Sequence, residues 1–541
     1  MNLRKGSKAV TLLLSVLIVL VAMTTACGQA NKAPDKTNNG GNAAGGQSAG
    51  TAGGNKPSDA DNKPSTEPVS GGTVRLPIAT EPDNLDPFLS SATDTASMMD
   101  NVFDGLLTND ETGKLLPGIA ESYEISADGL AYTFKLRPNV KFHNGELLTA
   151  EDVKYSYELL AGIGQEKPLS SKFEMVAGIE TPDAATAVIQ LKQKDASFIT
   201  RTTVAILPHD YKEQSKQPIG AGPFKFVSYS PGQSLVLERF ADFYDPENAA
   251  KIDRVEFKFM NDASATLLAL QAGTLDMLPS VTVQGEQQLG DSFTYVEGLQ
   301  NMVQLLALNN KVKPLDDARV RQAIYYAVDV DELIATIVEG KGTKLGSNMS
   351  PAMEQFYEPG LESTYDVNVE KAKSLLNEAG LANGFELEIT VPSNYQTHVD
   401  TAQVIAEQLK KVGITVKIKQ IEWSNWLEDV YTNRKYTATV IGFTGKLDPY
   451  DVLIRYETNY PRNFINFSDA AYDELMKQGT LEADIAKRAE IYKKAQHILT
   501  EQAASVFIMD FKQTAALKKG LEGFKIYANQ LLNMADLYYT N

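Results

Sequence analysis

The chain has 541 residues, which at roughly 150 residues per domain allows about three compact units. Its hydrophobic fraction of 43%, aromatic fraction of 9% and charged fraction of 22% are ordinary globular usage, which excludes wholesale disorder and a polytopic membrane protein. Asp plus Glu number 69 against 51 Lys plus Arg, and this formal charge of -18 argues against a phosphate-backbone partner. A single cysteine excludes an internal disulfide and any Cys-clustered metal site, and the four histidines His143, His209, His398 and His497 lie too far apart in sequence for a short metal-ligand motif. Neither a metal nor another cofactor is called for.

At the N-terminus, Arg4, Lys5 and Lys8 precede an apolar run from Ala9 to Met23, the pattern of an export signal. The run is short for a bilayer span, which needs ~20 residues, and nothing later in the chain is longer. Small residues Thr24, Thr25 and Ala26 lead into the lone Cys27. Residues 28–70 are rich in Gly, Asn, Ala, Ser, Lys and Pro with no apolar periodicity, which reads as a flexible tether spanning on the order of 35–40 Å. Its Gly46-Gln47-Ser48-Ala49-Gly50 string matches a hydrolase nucleophile pattern but lacks the flanking strand and helix, so it reads as chance.

The folded body is expected from residue 71, where Gly71-Gly72 opens a short strand running to Ile78. Tyr132 to Leu136 alternates as a half-buried strand, Val140-Lys141-Phe142 is read as resuming it after Arg137-Pro138-Asn139, and Asn144-Gly145 is a turn. Thr149 with Asp152 forms a near capping box ahead of Val153, Tyr157 and Leu160 at helical spacing. Asp316 to Glu339 reads as helix with a break near Asp329 and Asp331, and Lys371 to Ala379 as a helix stopped by Gly380. Thr401 to Val412 carries Ile405, Leu409 and Val412 on one face and ends at Gly413; Ile414, Val416 and Ile418 then alternate with Thr415, Lys417 and Lys419 as a strand. Ala486 to Glu501 gives a further amphipathic helix, so the body is mixed α/β with several lobes.

The run Asp128-Gly129-Leu130-Ala131-Tyr132-Thr133-Phe134-Lys135-Leu136-Arg137, with Val140 to Gly145 and Leu148 to Val153, resembles the signature of the family-5 extracellular solute-binding proteins, the dipeptide-, oligopeptide- and nickel-binding receptors of ABC importers. Asn84-Leu85-Asp86-Pro87, Phe103 to Leu106, Pro117 to Ser122, Gly220-Ala221-Gly222-Pro223-Phe224, Asp317 to Ala323 and Asp448-Pro449 fit in the same order, so the resemblance covers nearly the whole chain after residue 71. Within the signature the residues read as structural: Gly129 and Gly145 for turns, Arg137 to pin a strand end, and His143 as a hydrogen-bonded histidine rather than a metal ligand. Cys27 after small residues resembles a lipoprotein acylation site, although Thr24 stands where a larger aliphatic residue is usual; the bland reading is the end of a leader.

The resemblance implies an α/β bilobal periplasmic-binding-protein-like clamp of the class II type with an additional inserted α/β domain. Its parts are a signal peptide over 1–27, the tether over 28–70, a first lobe from 71–106, 206–300 and 526–541, an inserted domain over 107–205 and a second lobe over 301–525. Ligand would lie between the closing lobes. It further implies that Ile441 to Pro449 enters the site, with Phe443, Thr444, Gly445 and Asp448 as candidates. In peptide-binding members a carboxylate three residues before the acid-Pro pair holds the ligand's α-ammonium; here that position is Gly445, read either as a turn glycine or as a point of ligand approach, with Asp448 or Asp94 as possible substitutes. Trp423 and Trp426 stand where the family places an aromatic wall, or else in the core; Tyr395 and His398 lie in a pocket loop, with His398 facing a ligand carboxylate; Thr93, Asp94 and Thr95 are the first-lobe candidates; Met302 and Gln304 lie near an interlobe crossover.

The leading expectation is an extracytoplasmic lipoprotein, monomeric and without enzymatic activity, that is anchored to the cell membrane through Cys27, captures oligopeptide-like solutes and delivers them to the permease of an ABC importer. Alternatives with the same fold are capture of a nickel chelate or another non-peptide solute, and reception of a signalling peptide. An exported hydrolase would need an activated nucleophile or paired catalytic carboxylates, and no such constellation announces itself.

Overall fold

The computed structural model describes residues 68–540. The leader, Cys27 and the tether up to residue 67 therefore lie outside the described residues. The first strand, β1 (Thr73–Ile78), buries Val74, Leu76 and Ile78 on one face, as its alternation predicts. Just before it, the Val69 N–H donates to the Tyr539 carbonyl at 2.7 Å, so entry and exit of the body lie side by side. A loop held by Asp83, which accepts from Ser91 and Thr95, leads into helix α1 (Thr93–Met99).

Strands β2 (Ala120–Ile125) and β3 (Ala131–Leu136) form a hairpin turned at Gly129, whose φ of 72° suits glycine. Helix α2 (Ala150–Ala161) follows, with the Thr149 N–H donating to Asp152 Oδ2 at 2.7 Å as the capping box predicts. Then β4 (Val176–Asp183) and β5 (Thr186–Leu191) complete an antiparallel sheet in the order β2-β3-β5-β4. It has its own core around Phe134, Tyr157 and Phe198. Residues 140–142 do not resume β3: Asn139 takes φ 63° after Pro138, the chain turns, and only an isolated bridge between Lys141 and Leu147 forms. Arg137 donates through Nε to the Gly118 carbonyl at 2.8 Å. His143 accepts from Gly220 N–H at Nδ1 and donates from Nε2 to Gly222 O at 3.0 Å, and burial lowers its pKa to about 4. It is a neutral fastener between this sheet and the next.

Strands β6 (Phe224–Ser230), β7 (Ser234–Arg239) and β8 (Arg254–Phe259) return to β1, giving the order β1-β8-β7-β6 with β1 and β8 parallel. Gly222 packs so closely on the preceding segment that a Cβ would lie 2.7 Å from the Val102 carbonyl carbon. Apart from two short two-strand ladders, 107–109 with 115–117 and 521–522 with 538–539, the remaining strands form one eight-stranded sheet. They are β9 (Met277–Leu278), β10 (Phe293–Leu299), β11 (Met302–Leu308), β12 (Gly342–Lys344), β13 (Phe385–Pro392), β14 (Ile414–Ile421), β15 (Ala438–Thr444) and β16 (Ser505–Lys518). Its path is β9-β16-β11-β15-β13-β14, with β10 and β12 also on β16. Helices α3 (Ala318–Ala327) and α4 (Val330–Ile337) are separated at Asp329, which caps α4 by accepting from Glu332 N–H. Between the parallel strands β13 and β14 runs α5 (Gln396–Lys410); α6 (Pro449–Leu453) and α7 (Ile485–Glu501) pack later in the same half.

Two cores divide this sheet. Val506 to Met509 of β16 pair with β11 and pack with the second core, whereas Ala515 and Leu517 pair with β10 and pack with β1 and β6 to β8 in the first. The change falls at Asp510. Phe511 still packs against the second core, whereas Leu521 and Phe524 pack in the first, so the stretch from about 512 to 525, which the sequence analysis assigns to the second lobe, lies with the first core. The chain therefore passes between these two cores at Gln300-Asn301 and again just after Asp510.

Candidate ligand-binding cleft

Strands β11 and β15 run antiparallel with Met302 opposite Thr444 and Gln304 opposite Gly442, so these four residues share one face. His398, from the first turn of α5, lies over that face. A chain of hydrogen bonds fixes it: Thr401 Oγ1 donates to Thr397 O at 2.7 Å, so it can only accept from Gln304 Nε2 at 3.2 Å, and the second Nε2 proton goes to His398 Nδ1 at 2.9 Å. Nε2 of His398 then carries its proton. Burial lowers the pKa of His398 to about 4, so at neutral pH it is an uncharged donor, not the cation a ligand carboxylate would favour. Gln304 is fully buried, and its Oε1 has no partner among the described residues. A Cβ at Gly442 would lie 3.0 Å from Met302 Sδ and 3.3 Å from His398 Cε1, which is why the wall is flat there.

The aromatic candidates form a graded stack. Trp426 is buried and donates from Nε1 to Thr439 Oγ1 at 2.9 Å; Trp423 stacks on it at 5.1 Å and 6°; Tyr395 meets Trp423 edge-on at 5.3 Å and is 42% exposed. Trp426 is thus a core residue and Trp423 is half-buried above it. Phe443 alternates to the face opposite Gln304, packing 5.6 Å from Phe464 with the Arg455 guanidinium 4.3 Å above its ring.

Gly445 is neither a left-handed turn glycine nor an open approach. Its N–H donates to the Asn301 carbonyl, and a Cβ would overlap the Asn301 carboxamide. Asn301 is itself buried at φ 51° in the first crossover and donates from Nδ2 to Ala528 O at 2.8 Å. No carboxylate fits at 445 while Asn301 occupies that space. Asp448 cannot substitute, because it is 1% exposed and held by both Arg488 nitrogens at 2.8 Å, while also capping α6 through Tyr450 N–H at 2.9 Å. It is a structural ion pair.

Between α1, the inserted domain and the β15–α6 loop lies a cavity of about 460 Å³ lined by Thr93, Lys172, Thr200, Arg201, Thr444, Gly445, Lys446, Asp448, Asp451 and Gln530. A second of similar size adjoins it through Thr93 and Gln530 and reaches Asp94 and the crossover residue Gln300. Thr93, Asp94, Thr444, Gly445 and Asp448 are therefore brought together around one cleft. Met302, Gln304, Tyr395, His398, Trp423, Trp426 and Phe443 line neither cavity. Asp94 Oδ2 accepts from Thr80 N–H at 2.8 Å and its hydroxyl at 2.7 Å. Thr95 is fully buried with its hydroxyl donated to Asp83, so it holds a loop and does not face the cleft. The sequence reading passed over Lys446, although it lies within the stretch singled out, and it had no signal for Lys172 or Arg201.

Residues 114–464 match the bacterial extracellular solute-binding proteins, family 5 middle region. The chain belongs to this solute-binding family. Members of family 5 serve ABC importers, and the bilobal clamp is their fold. This family-5 chain is 28% identical to the oligopeptide-binding protein AppA of Bacillus subtilis over 99% of its own length and 98% of the relative's. The structure of that protein with a nonapeptide superposes at a TM-score of 0.68, with 26% identity over 88% of this family-5 chain and 100% of the other. The binding protein AgaA of A. tumefaciens R10, in complex with agropinic acid, superposes at 0.67 with 28% identity over 87% and 99%.

Proposed function

We propose that this protein captures an oligopeptide-like solute in the cleft between its lobes and hands it to the membrane permease of an ABC importer, performing no chemistry on it. The observation that carries the reading is the cavity of about 460 Å³ bounded by α1 of the first lobe, the inserted domain and the β15–α6 loop of the second. A ligand touching all three stabilises the closed arrangement by its differential contacts. The oligopeptide-binding relative, alike over nearly its full length, supports the peptide class. On this reading residues 1–27 direct export, Cys27 carries a lipid, residues 28–70 tether a monomeric body to the cell membrane, and Thr93, Asp94 and Thr444 border the solute.

Native mass spectrometry of the full-length protein released from membranes in detergent, with acid extraction of what it carries, tests this. Short peptides among the extracted masses are the expected result. A single non-peptide mass would retain the fold and replace the solute class; an unmodified Cys27 mass would remove the lipid anchor.

A further inference from the structure

The cation balance of the cleft runs against that of the molecule. On a chain of net charge -18, the β15–α6 loop places Lys446 beside the glycine that bars a carboxylate at 445, and the inserted domain brings Lys172 to the same cavity. Neither amine makes an ion pair among the described residues. Arg201, on the same wall, is paired with Asp195 at 3.3 Å and donates to Lys172 O at 2.9 Å, so it orders that wall. Of the carboxylates, Asp448 is fully engaged by Arg488, leaving Asp451 alone against two lysines. Burial lowers the pKa of the Lys446 amine, and the charges of Lys172 and Arg455 near it lower it further against the opposing pull of Asp451, though Lys446 keeps enough exposure for solvent to screen much of the effect. Thr444 adds a hydroxyl to the same wall, whereas the Thr200 hydroxyl is already donated to the Ser197 carbonyl at 2.8 Å.

We infer that this end of the cleft receives an anionic group of the ligand, a carboxylate or a phosphate, between Lys446 and Lys172, and that it does not recognise a free α-ammonium. The inference rests on the capture function proposed above. An ammonium placed here would meet two like charges and one carboxylate already shared with Lys172 and Arg201. An anion would offset the repulsion among the cations and accept charge-assisted hydrogen bonds from them.

The test is binding to the full-length protein, measured by calorimetry, of three sets of probes. The first is a mixed tetrapeptide series prepared as free acids, as C-terminal amides, as N-acetyl acids, and as amides bearing one phosphoserine. The second is a series of sugar acids and other small organic anions, and the third is neutral sugars. The expected result is that N-acetylation changes affinity less than threefold and amidation weakens it about tenfold or more, the scale of a charged hydrogen bond. Lys446→Ala and Lys172→Ala should each lose that factor for acids only, and Lys446→Arg should regain part of it. Recovery by the phosphoserine amides would assign the site to phosphate; recovery by acids alone would assign it to carboxylate. If amides bind as well as acids and acetylation abolishes binding, the anion inference is overturned and peptide capture stands. If only small organic anions bind, the inference stands and the peptide reading falls. Binding of neutral sugars alone, or of no probe, overturns both.

Discussion

Gly445 owes its identity to a residue 144 positions earlier in the chain, and that dependence can be measured. Because a Cβ there overlaps the buried Asn301 carboxamide, Gly445→Ala is expected to cost about 1–3 kcal/mol in denaturant unfolding, as overpacking does. Asn301→Gly removes the obstruction and tolerates φ 51°, so the double variant should lose less than the sum of the two single losses. Asp448 makes a similar case. Arg488→Ala would leave a buried carboxylate with no counter-charge, for which about 3–5 kcal/mol of destabilisation is expected, whereas replacing both partners by Leu and Met should cost far less. These pairs also explain what the sequence does and does not disclose at this scale. The acid-Pro pair and the missing carboxylate at 445 are legible in a nine-residue stretch, but Asn301 and Arg488, which decide what those residues can do, are distant in sequence and reach them only through tertiary packing.

At the scale of elements, periodicity and caps were enough wherever one face is buried. The break at Asp329 between α3 and α4, the capping box of α2, and the strand from Ile414 are each where apolar spacing and cap residues place them. Helix α5 begins at Gln396, earlier than its apolar face suggested, because its first turn is polar and is held by tertiary contact: His398 and Thr401 are buried against Gln304 of β11. The α2 cap carries a further testable bond. Asp152 accepts from Thr149 N–H and, through Oδ1, from His209 N–H at 3.0 Å and Nδ1 at 2.7 Å, and the bond to Asp152 raises the pKa of His209. The stability His209 lends is fully present below its unfolded pKa near 6.5 and is lost as pH rises through the raised folded value. Asp152→Ala is expected to destabilise by about 1–2 kcal/mol and to return the His209 titration, followed by NMR, toward its ordinary position.

For the whole molecule, the decisive strand is β16, which pairs with β11 on one side of Asp510 and with β10 on the other. Asp510 is fully buried at this crossing, accepts from Ser350 Oγ, and is raised by burial to about 7. Its folded form holds a proton that the unfolded chain releases near pH 4, so the stability this group lends is fully present below that pH and is lost as pH rises toward 7, with a slope of up to about 1.4 kcal/mol per pH unit. Asp510→Asn should flatten that part of the curve, read as the difference between the two proteins' unfolding free energies from pH 4 to 8. The two crossings also set the mechanics of the body. Val69 and Tyr539 are bonded at the rim of the first core, and the second core hangs on an internal stretch of chain between Asn301 and Asp510. Tension applied between residues 68 and 540 therefore loads one antiparallel bridge in a zipper geometry, where bonds break singly and at low force. The second core is out of the load path until the first has opened. An optical trap should record the first core opening before the second, at the lower force, with the second lobe still folded after that first rip.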